Sequence, residues 1–202
     1  MPLESFPSTQ LDLNVAPPTT VVAKLSRDFA VENQEKDHWC WAAVTASVTN
    51  YLTKNPGGWK QCQIATAVYQ TGGSSIDCCK DPDQCDDDQD LDAVLAQTGC
   101  LKYEPDYSVN AADITGEVTG VTVAITNDHP VCLRIGWHHD NAGGHFIAVA
   151  TVGRGQDGRD YFGLSDPKYE SSSYAVQDLI AGNYLHNADY DGKWTHRFFT
   201  EG

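Results

Sequence analysis

The sequence predicts an α+β fold in which helices come first and an antiparallel sheet follows. Between residues 40 and 98, several segments have the length and apolar spacing of helices. From residue 131 onward the pattern changes to short runs of β-branched and aromatic residues, separated by turn residues. Segregation of helices and strands along the chain is typical of α+β proteins, and 202 residues suffice for one domain with a substantial core.

The chain begins with an extended segment. Residues 1–28 are predicted to be an N-terminal arm or the remnant of a pro-segment, because their first part is rich in proline and threonine. Residues 19–31 (TTVVAKLSRDFAV) alternate roughly between apolar and polar side chains, a pattern that predicts an edge strand.

Three helices are predicted next. The stretch WAAVTASVTNYL (41–52) is long enough for a helix, and Asn55-Pro-Gly-Gly ends it. QCQIATAVYQ (61–70) and DLDAVLAQT (90–98) predict two shorter helices on either side of a cysteine-rich loop. The acidic stretch between them is best explained as a solvated surface.

Four strands are predicted in the second half: VCLRIGW (131–137), HFIAVATVG (145–153), DYFGLSDP (160–167) and WTHRFF (194–199). A turn at Gln156-Asp-Gly joins the second and third of them. We therefore expect residues 29–202 to form a single domain, with a helical lobe over about 29–128 and a sheet lobe over about 129–202.

The composition excludes some partners. The formal net charge is −15 and only 13 residues are Lys or Arg, whereas nucleic-acid binding needs clustered basic side chains. The apolar stretches are too short to span a bilayer. We expect a monomer that binds neither nucleic acid nor membrane.

Seven cysteines indicate a disulfide-bonded protein: Cys40, Cys62, Cys78, Cys79, Cys85, Cys100 and Cys132. An odd count fits three disulfides and one free thiol. We expect the four cysteines of the loop to form two bridges, with the adjacent Cys78 and Cys79 bound to different partners, and Cys100 to pair with Cys132 by elimination.

Disulfides are typical of an oxidising compartment, so we expect a secreted or exported protein. The start MPLESFPSTQ lacks the charged and apolar regions of a signal peptide. We therefore expect either that the natural protein has a different leader or that export uses another route. Zinc is the alternative role for the cysteines, but no Cys-x-x-Cys pair occurs. His138, His139, Asp140 and His145 form a second candidate zinc site, but adjacent histidines rarely bind one metal together, so we expect no metal and no cofactor.

Cys40 lies between two tryptophans at the start of the predicted 41–52 helix. The unpaired N–H groups and the dipole of a helix N-terminus favour a thiolate, which is the nucleophilic form of cysteine. A buried or disulfide-bonded cysteine is the alternative explanation.

His145 and Asp166 are candidate partners of such a thiolate. His145 follows two glycines and opens an apolar strand, where its orientation can be fixed as a general base requires. Asp166 ends the next strand before Pro167. In a hairpin around residues 156–158 the two side chains lie at the same end, within hydrogen-bonding reach. A strand-capping histidine and a turn aspartate are the alternatives.

Gln34, six residues before Cys40, can donate its amide to a developing oxyanion beside the Cys40 N–H. Taken together, Gln34, the Cys40–Trp41 step, GGHF at His145 and the late Asp166 resemble the papain-like cysteine peptidases. WCWAA, GGHF and the QCQIA…DCC…C pattern resemble most a compact bacterial branch that includes secreted effector proteases of plant pathogens. The resemblance covers about residues 30–170.

The resemblance implies a papain-like catalytic domain in which Cys40 attacks a peptide carbonyl, His145 shuttles the proton, Asp166 orients His145 and Gln34 lines the oxyanion hole. It implies a protein or peptide substrate, and a proteinaceous inhibitor or immunity protein as a further partner. Trp39 and Trp137 would flank the cleft, although core packing explains them equally well.

The sequence departs from papain at three points: it lacks Cys-Gly-Ser before the nucleophile, has Asp as the late residue, and places only 105 positions between Cys40 and His145. Subsite preferences therefore do not transfer. A thiol-dependent amidase or acyltransferase, and an inert binding module on the same fold, are the rival functions.

Overall fold

The computed structural model describes residues 20–138, 143–185 and 191–202. Most of the predicted N-terminal arm, together with His139, therefore lies outside the described residues. Within the described part the chain forms five α-helices: α1 (Cys40–Leu52), α2 (Gln61–Thr71), α3 (Leu91–Gln97), α4 (Ile114–Thr126) and α5 (Val176–Ala181). A short 3-10 helix, Pro82–Cys85, lies between α2 and α3.

Six strands of the described ranges build one antiparallel sheet: β1 (Thr20–Lys24), β2 (Val131–Trp137), β3 (Gly144–Arg154), β4 (Asp160–Ser165), β5 (Ser172–Ala175) and β6 (Gly192–Phe199). The order across the sheet is β5-β4-β3-β2-β6, and β1 pairs with the C-terminal part of β3. The predicted α+β class is confirmed, with helices first and most of the sheet after them.

Strand β3 is buried on both faces, which explains its almost continuous apolar sequence. Phe146 and Ala148 belong to the core shared with α1, α2 and α3, whereas Ile147 and Val149 belong to a second core. Alternate side chains of a strand point to opposite faces, so the sheet separates the two cores.

Helix α1 is the centre of the first core. All of its residues from Cys40 to Tyr51 are buried, and a helix that is enclosed on every side needs side chains that fit on every side. Its alanines, serine and threonines let α2, α3 and β3 approach closely. The position of Cys40 is therefore fixed by packing along the whole helix.

Helix α4 was not predicted from the sequence. Asp113 caps it by accepting a hydrogen bond from the N–H of Gly116 (3.0 Å). Val121 and Ile125 are fully buried in the second core, on the β3 face that carries Ile147. This helix precedes residue 128 but packs on the opposite face of the sheet from α1–α3.

Two disulfides close the cysteine-rich loop, Cys62–Cys79 and Cys78–Cys85. The prediction that the four loop cysteines bridge one another, with different partners for Cys78 and Cys79, is confirmed. The predicted Cys100–Cys132 bridge is wrong, and so is the expectation of one free thiol, because both cysteines are free and buried in the first core with Cys40. In that core a thiol packs as a small apolar side chain.

None of the helices in the described ranges has the length and apolar character that crossing a membrane requires.

Candidate active site

Cys40 is the first residue of α1 and is 5% exposed. Its neighbours explain the sequence WCW. The indole N–H of Trp39 donates to the carbonyl oxygen of Cys85 (2.7 Å), and that of Trp41 donates to the carbonyl oxygen of Asp87 (2.9 Å). The two tryptophans thus tie the disulfide-bonded loop to the helix end that carries Cys40. Trp39 is fully buried, so the expectation that it flanks the cleft is wrong.

His145 is the second residue of β3, where it pairs with Ile135 of β2. Its imidazole lies between two aromatic rings. The Trp137 ring stacks on it with centroids 5.9 Å apart, and the Tyr169 ring meets it edge-on at 5.7 Å. These rings leave the imidazole 3% exposed and restrict its rotation, which favours a fixed orientation for proton transfer.

Asp166 follows β4 directly, and its buried carboxylate is fully hydrogen-bonded. Oδ1 accepts from His145 Nε2 (2.9 Å) and from the backbone N–H groups of Lys168 (2.7 Å) and Tyr169 (2.8 Å). Oδ2 accepts from the hydroxyl of Tyr184. The predicted proximity of His145 and Asp166 in a hairpin is therefore present, with Ala148 opposite Ser165 in the strand register.

The contacts of His145 determine its charge. Burial lowers the pKa of this imidazole, but hydrogen bonds to Asp166 and to the Cys40 side chain, and the negative charges of both, raise it from 6.5 to about 9. For Asp166, burial raises the pKa, but the hydrogen bond and charge of His145 and the Tyr184 hydroxyl outweigh burial and leave the pKa lowered. His145 is therefore protonated and Asp166 ionised at neutral pH.

The structure brings Cys40, His145 and Asp166 together: Cys40 and His145 line the same cavity, and His145 hydrogen-bonds Asp166. Because Asp166 occupies Nε2 of His145, Nδ1 is the nitrogen left for the Cys40 sulfur. Cys40 and His145 line a cavity of about 250 Å³ together with Trp137 and Tyr169. A substrate in this cavity has the sulfur and the imidazole within its reach.

Gln34 lies outside that cavity, in the wall of a neighbouring one. Its side-chain amide donates to the carbonyl oxygens of Lys36 and Asp37, both at 2.7 Å, and its Oε1 has no hydrogen-bond partner among the described residues. In this position the amide braces the loop that leads to Cys40. The oxyanion role stays a prediction and requires the amide to turn toward the cavity.

The model of the Peptidase_C39 like family matches residues 26–195. The chain belongs to this family. The Peptidase_C39-like family is one of cysteine peptidases, so the chain is a cysteine peptidase of the hydrolase class, and its α+β architecture agrees with a papain-like peptidase fold. A comparison with curated proteins finds no match.

Sequence reasoning missed two buried residues that contact the candidate site or the loop before it, Tyr184 and Gln61. Tyr184 reaches Asp166 from a segment that pairs with Gly192, and a lone tyrosine gives no signal of this. Gln61 is buried and holds the loop before Cys40 through the carbonyl of Asn33 (2.8 Å) and the N–H of Glu35 (2.9 Å).

The histidine cluster considered for zinc is divided in the structure. His138 Nδ1 lies 3.2 Å from a carboxylate oxygen of Asp191, while His145 is engaged by Asp166. His139 and Asp140 lie outside the described residues. Within the described ranges, no three His, Cys, Asp or Glu side chains come together as metal ligands would.

Proposed function

We propose that this protein is a cysteine endopeptidase that hydrolyses peptide bonds through Cys40, His145 and Asp166. The observation that supports this function best is the position of His145, which hydrogen-bonds Asp166 through Nε2 and lines one cavity with Cys40. The same arrangement of thiol, imidazole and carboxylate generates a nucleophile in other thiol hydrolases.

The proposed reaction has two stages. The Cys40 thiolate attacks the peptide carbonyl carbon, and the resulting oxyanion accepts hydrogen bonds from the first-turn N–H of Cys40, which has no acceptor within the helix. His145 then donates its proton to the leaving amine, which departs and leaves an acyl-enzyme. A water molecule, deprotonated by His145, hydrolyses the thioester and restores the thiolate.

Asp166 and Tyr184 act on this reaction through His145. The Asp166 carboxylate holds Nε2 and stabilises the imidazolium, so that Nδ1 stays directed at the sulfur. We assign Gln34 as a second donor to the oxyanion, once its amide has turned from the carbonyls of Lys36 and Asp37.

We further propose that the protein works as an exported monomer, either as a secreted protease or as an effector. Two disulfides in one short loop support this proposal, because disulfides form and persist in oxidising compartments. The cellular target and any inhibitor protein would be found outside the compartment of synthesis.

Cleavage of a casein-type substrate by Cys40→Ala tests the function. We expect turnover to disappear while the melting transition stays nearly unchanged, because the substitution removes one sulfur atom at the first residue of α1 and keeps the other buried side chains of the helix in place. Cys132→Ala is the matched control, since it removes a buried thiol that does not line the cavity, and it should retain cleavage. Cleavage by Cys40→Ala at the parent rate would contradict the mechanism.

Adding small amines to the assay separates hydrolysis from transfer. A peptidase yields free carboxylates, whereas an acyltransferase yields amides in proportion to the amine. If amides predominate, the protein is an acyltransferase that uses the same cysteine, and the proposal of hydrolysis is wrong.

A further inference from the structure

Three adjoining cavities form one groove through the proposed active site. The central cavity, about 250 Å³, holds Cys40 and His145, and it lies between cavities of about 690 Å³ and about 240 Å³. Each neighbour shares walls with it: Asp37, Lys168 and Tyr169 with the larger cavity, and Asp88, Gly143 and Gly144 with the smaller one. An extended polypeptide can therefore occupy the groove on both sides of Cys40.

The walls of this groove carry an excess of free carboxylates. Five acidic side chains line it without an ion pair to any described residue: Glu35, Asp37, Asp88, Asp90 and Glu170. Two more, Asp83 and Asp86, are paired with Lys36 and His38.

Among the described residues, two cations that form no ion pair with a carboxylate oppose this charge. Lys168 lines the central and larger cavities. Arg134 lines the smaller one and donates to the carbonyl oxygen of Gly143 (3.0 Å) and the hydroxyl of Thr195 (3.2 Å). The free carboxylates outnumber these two cations, so the groove is net negative, and a cleft of one charge sign concentrates ligands of the opposite sign.

The acidic wall is held in place before any substrate binds. The Cys78–Cys85 disulfide and the Trp39 and Trp41 hydrogen bonds fix the segment that leads to Asp88. Asp86 Oδ1 also accepts from the N–H of His38 (2.9 Å). A wall that is already ordered loses little entropy on binding, so its carboxylates can favour a cation.

We infer that the groove takes an extended, net-basic stretch of polypeptide, in which Asp88 contacts a Lys or Arg side chain close to the cleaved bond. This inference rests on the proposed peptidase function. Asp88 is the exposed carboxylate that lines both the central and the smaller cavity, so a cationic side chain beside the reacting carbonyl passes within its reach. Acidic segments meet the same carboxylates as like charges and bind poorly.

A synthetic peptide library with all residues equally represented tests this inference, with cleaved bonds mapped by mass spectrometry. We expect Lys and Arg to be enriched, and Asp and Glu depleted, around the cleaved positions. In matched peptides that differ only in Lys or Glu at the most selective position, Asp88→Asn should lower the Lys-over-Glu ratio of kcat/KM by up to about fivefold.

Asp28→Asn is the matched control. Asp28 is exposed, makes no ion pair with a described residue, and lines none of the three cavities. It should leave the ratio unchanged. If Asp88→Asn does not fold, the salt dependence of the parent enzyme's Lys-over-Glu ratio serves as the test instead. Rising NaCl screens exposed charges and should therefore weaken the Lys preference.

The outcomes separate this inference from the function on which it rests. Cleavage without a charge preference, with an acidic preference, or with a Lys preference that salt does not weaken overturns the basic-substrate inference and leaves the peptidase intact. Failure to cleave any peptide overturns both.

Discussion

The hydroxyl of Tyr184 donates a hydrogen bond to the Asp166 oxygen that His145 does not use. Tyr184 is fully buried, so water does not replace this donor when it is lost. Burial and the neighbouring Asp166 charge raise the pKa of Tyr184 well above 10, which keeps the hydroxyl protonated as a donor. Tyr184 therefore positions Asp166, and through Asp166 it positions His145.

Tyr184→Phe tests this relationship. Without the hydroxyl, one oxygen of a buried carboxylate loses its donor, which costs about 1–3 kcal/mol of stability. The pKa of Asp166 should rise. A carboxylate that is no longer held at Oδ2 should also hold Nε2 of His145 less well, so the pKa of His145 should fall and the alkaline limb of kcat/KM should move to lower pH. Tyr174→Phe is the control, because its hydroxyl accepts from the N–H of Leu185 (3.3 Å) instead. Equal pH profiles for the two variants would contradict the positioning role.

The pH dependence of the parent enzyme follows from His145. The thiolate–imidazolium pair requires protonated His145, whose pKa is raised to about 9, so kcat/KM should fall as pH rises through about 9. Because the folded pKa exceeds the ordinary 6.5, this group stabilises the fold fully below pH 6.5 and progressively less up to about pH 9.

Asp166→Asn should shift that alkaline limb to lower pH, since it removes the negative charge that favours the imidazolium. Asp128→Asn offers a matched control: Asp128 also accepts from a tyrosine hydroxyl, that of Tyr51, but at the other end of α1. It should affect stability and leave the limb in place. An alkaline limb that is identical in Asp166→Asn and the parent would be incompatible with the proposed role of Asp166.

Gln34→Ala distinguishes the two roles of this amide. As an oxyanion donor, Gln34 should contribute about 10²-fold to kcat with little effect on KM. As a brace for the carbonyls of Lys36 and Asp37, it should contribute to stability alone. We expect the loss in kcat, measured by steady-state kinetics beside a thermal melt. An unchanged kcat with a lowered melting temperature would assign Gln34 to the brace.

The disulfide pattern predicts a thiol count. Titration in denaturant without reductant should find three free thiols, Cys40, Cys100 and Cys132. Replacing Cys78 and Cys85 by alanine should cost about 2.5 kcal/mol, because the bridge closes a loop with a sequence separation of 7. A count of one would restore the Cys100–Cys132 bridge, and a count of seven would remove the support for export.

Much of the fold could be predicted because its signals are local. Helix α1 begins at Cys40 and ends before Asn55-Pro-Gly-Gly as the sequence indicates, and β2 occupies Val131–Trp137 as predicted. Helix α4 was missed because ITGEVTGVTVAIT contains glycines and many β-branched residues, which have low helix propensity. Its stability comes from packing on the sheet, which a local pattern does not reveal.

The site could be predicted only where strand pairing brings residues together. His145 lies on β3 and Asp166 directly follows the adjacent strand β4, so their proximity follows from a single turn. The contacts of Tyr184 with Asp166 and of Trp39 with Cys85 join segments that no hairpin relates. The Cys100–Cys132 prediction failed because the two cysteines were paired only as the ones left over, without any information on the distance or orientation between them.

Labelling with an epoxide inhibitor, followed by mass spectrometry of the intact protein and its peptides, tests the central claim most directly. An imidazolium that hydrogen-bonds the sulfur should make Cys40 react much faster than free cysteine, so we expect one adduct, at Cys40, and its loss in His145→Ala. The buried Cys100 and Cys132 serve as internal controls and should stay unlabelled. Labelling of Cys40 no faster than free cysteine, or at the same rate in His145→Ala, would contradict the account.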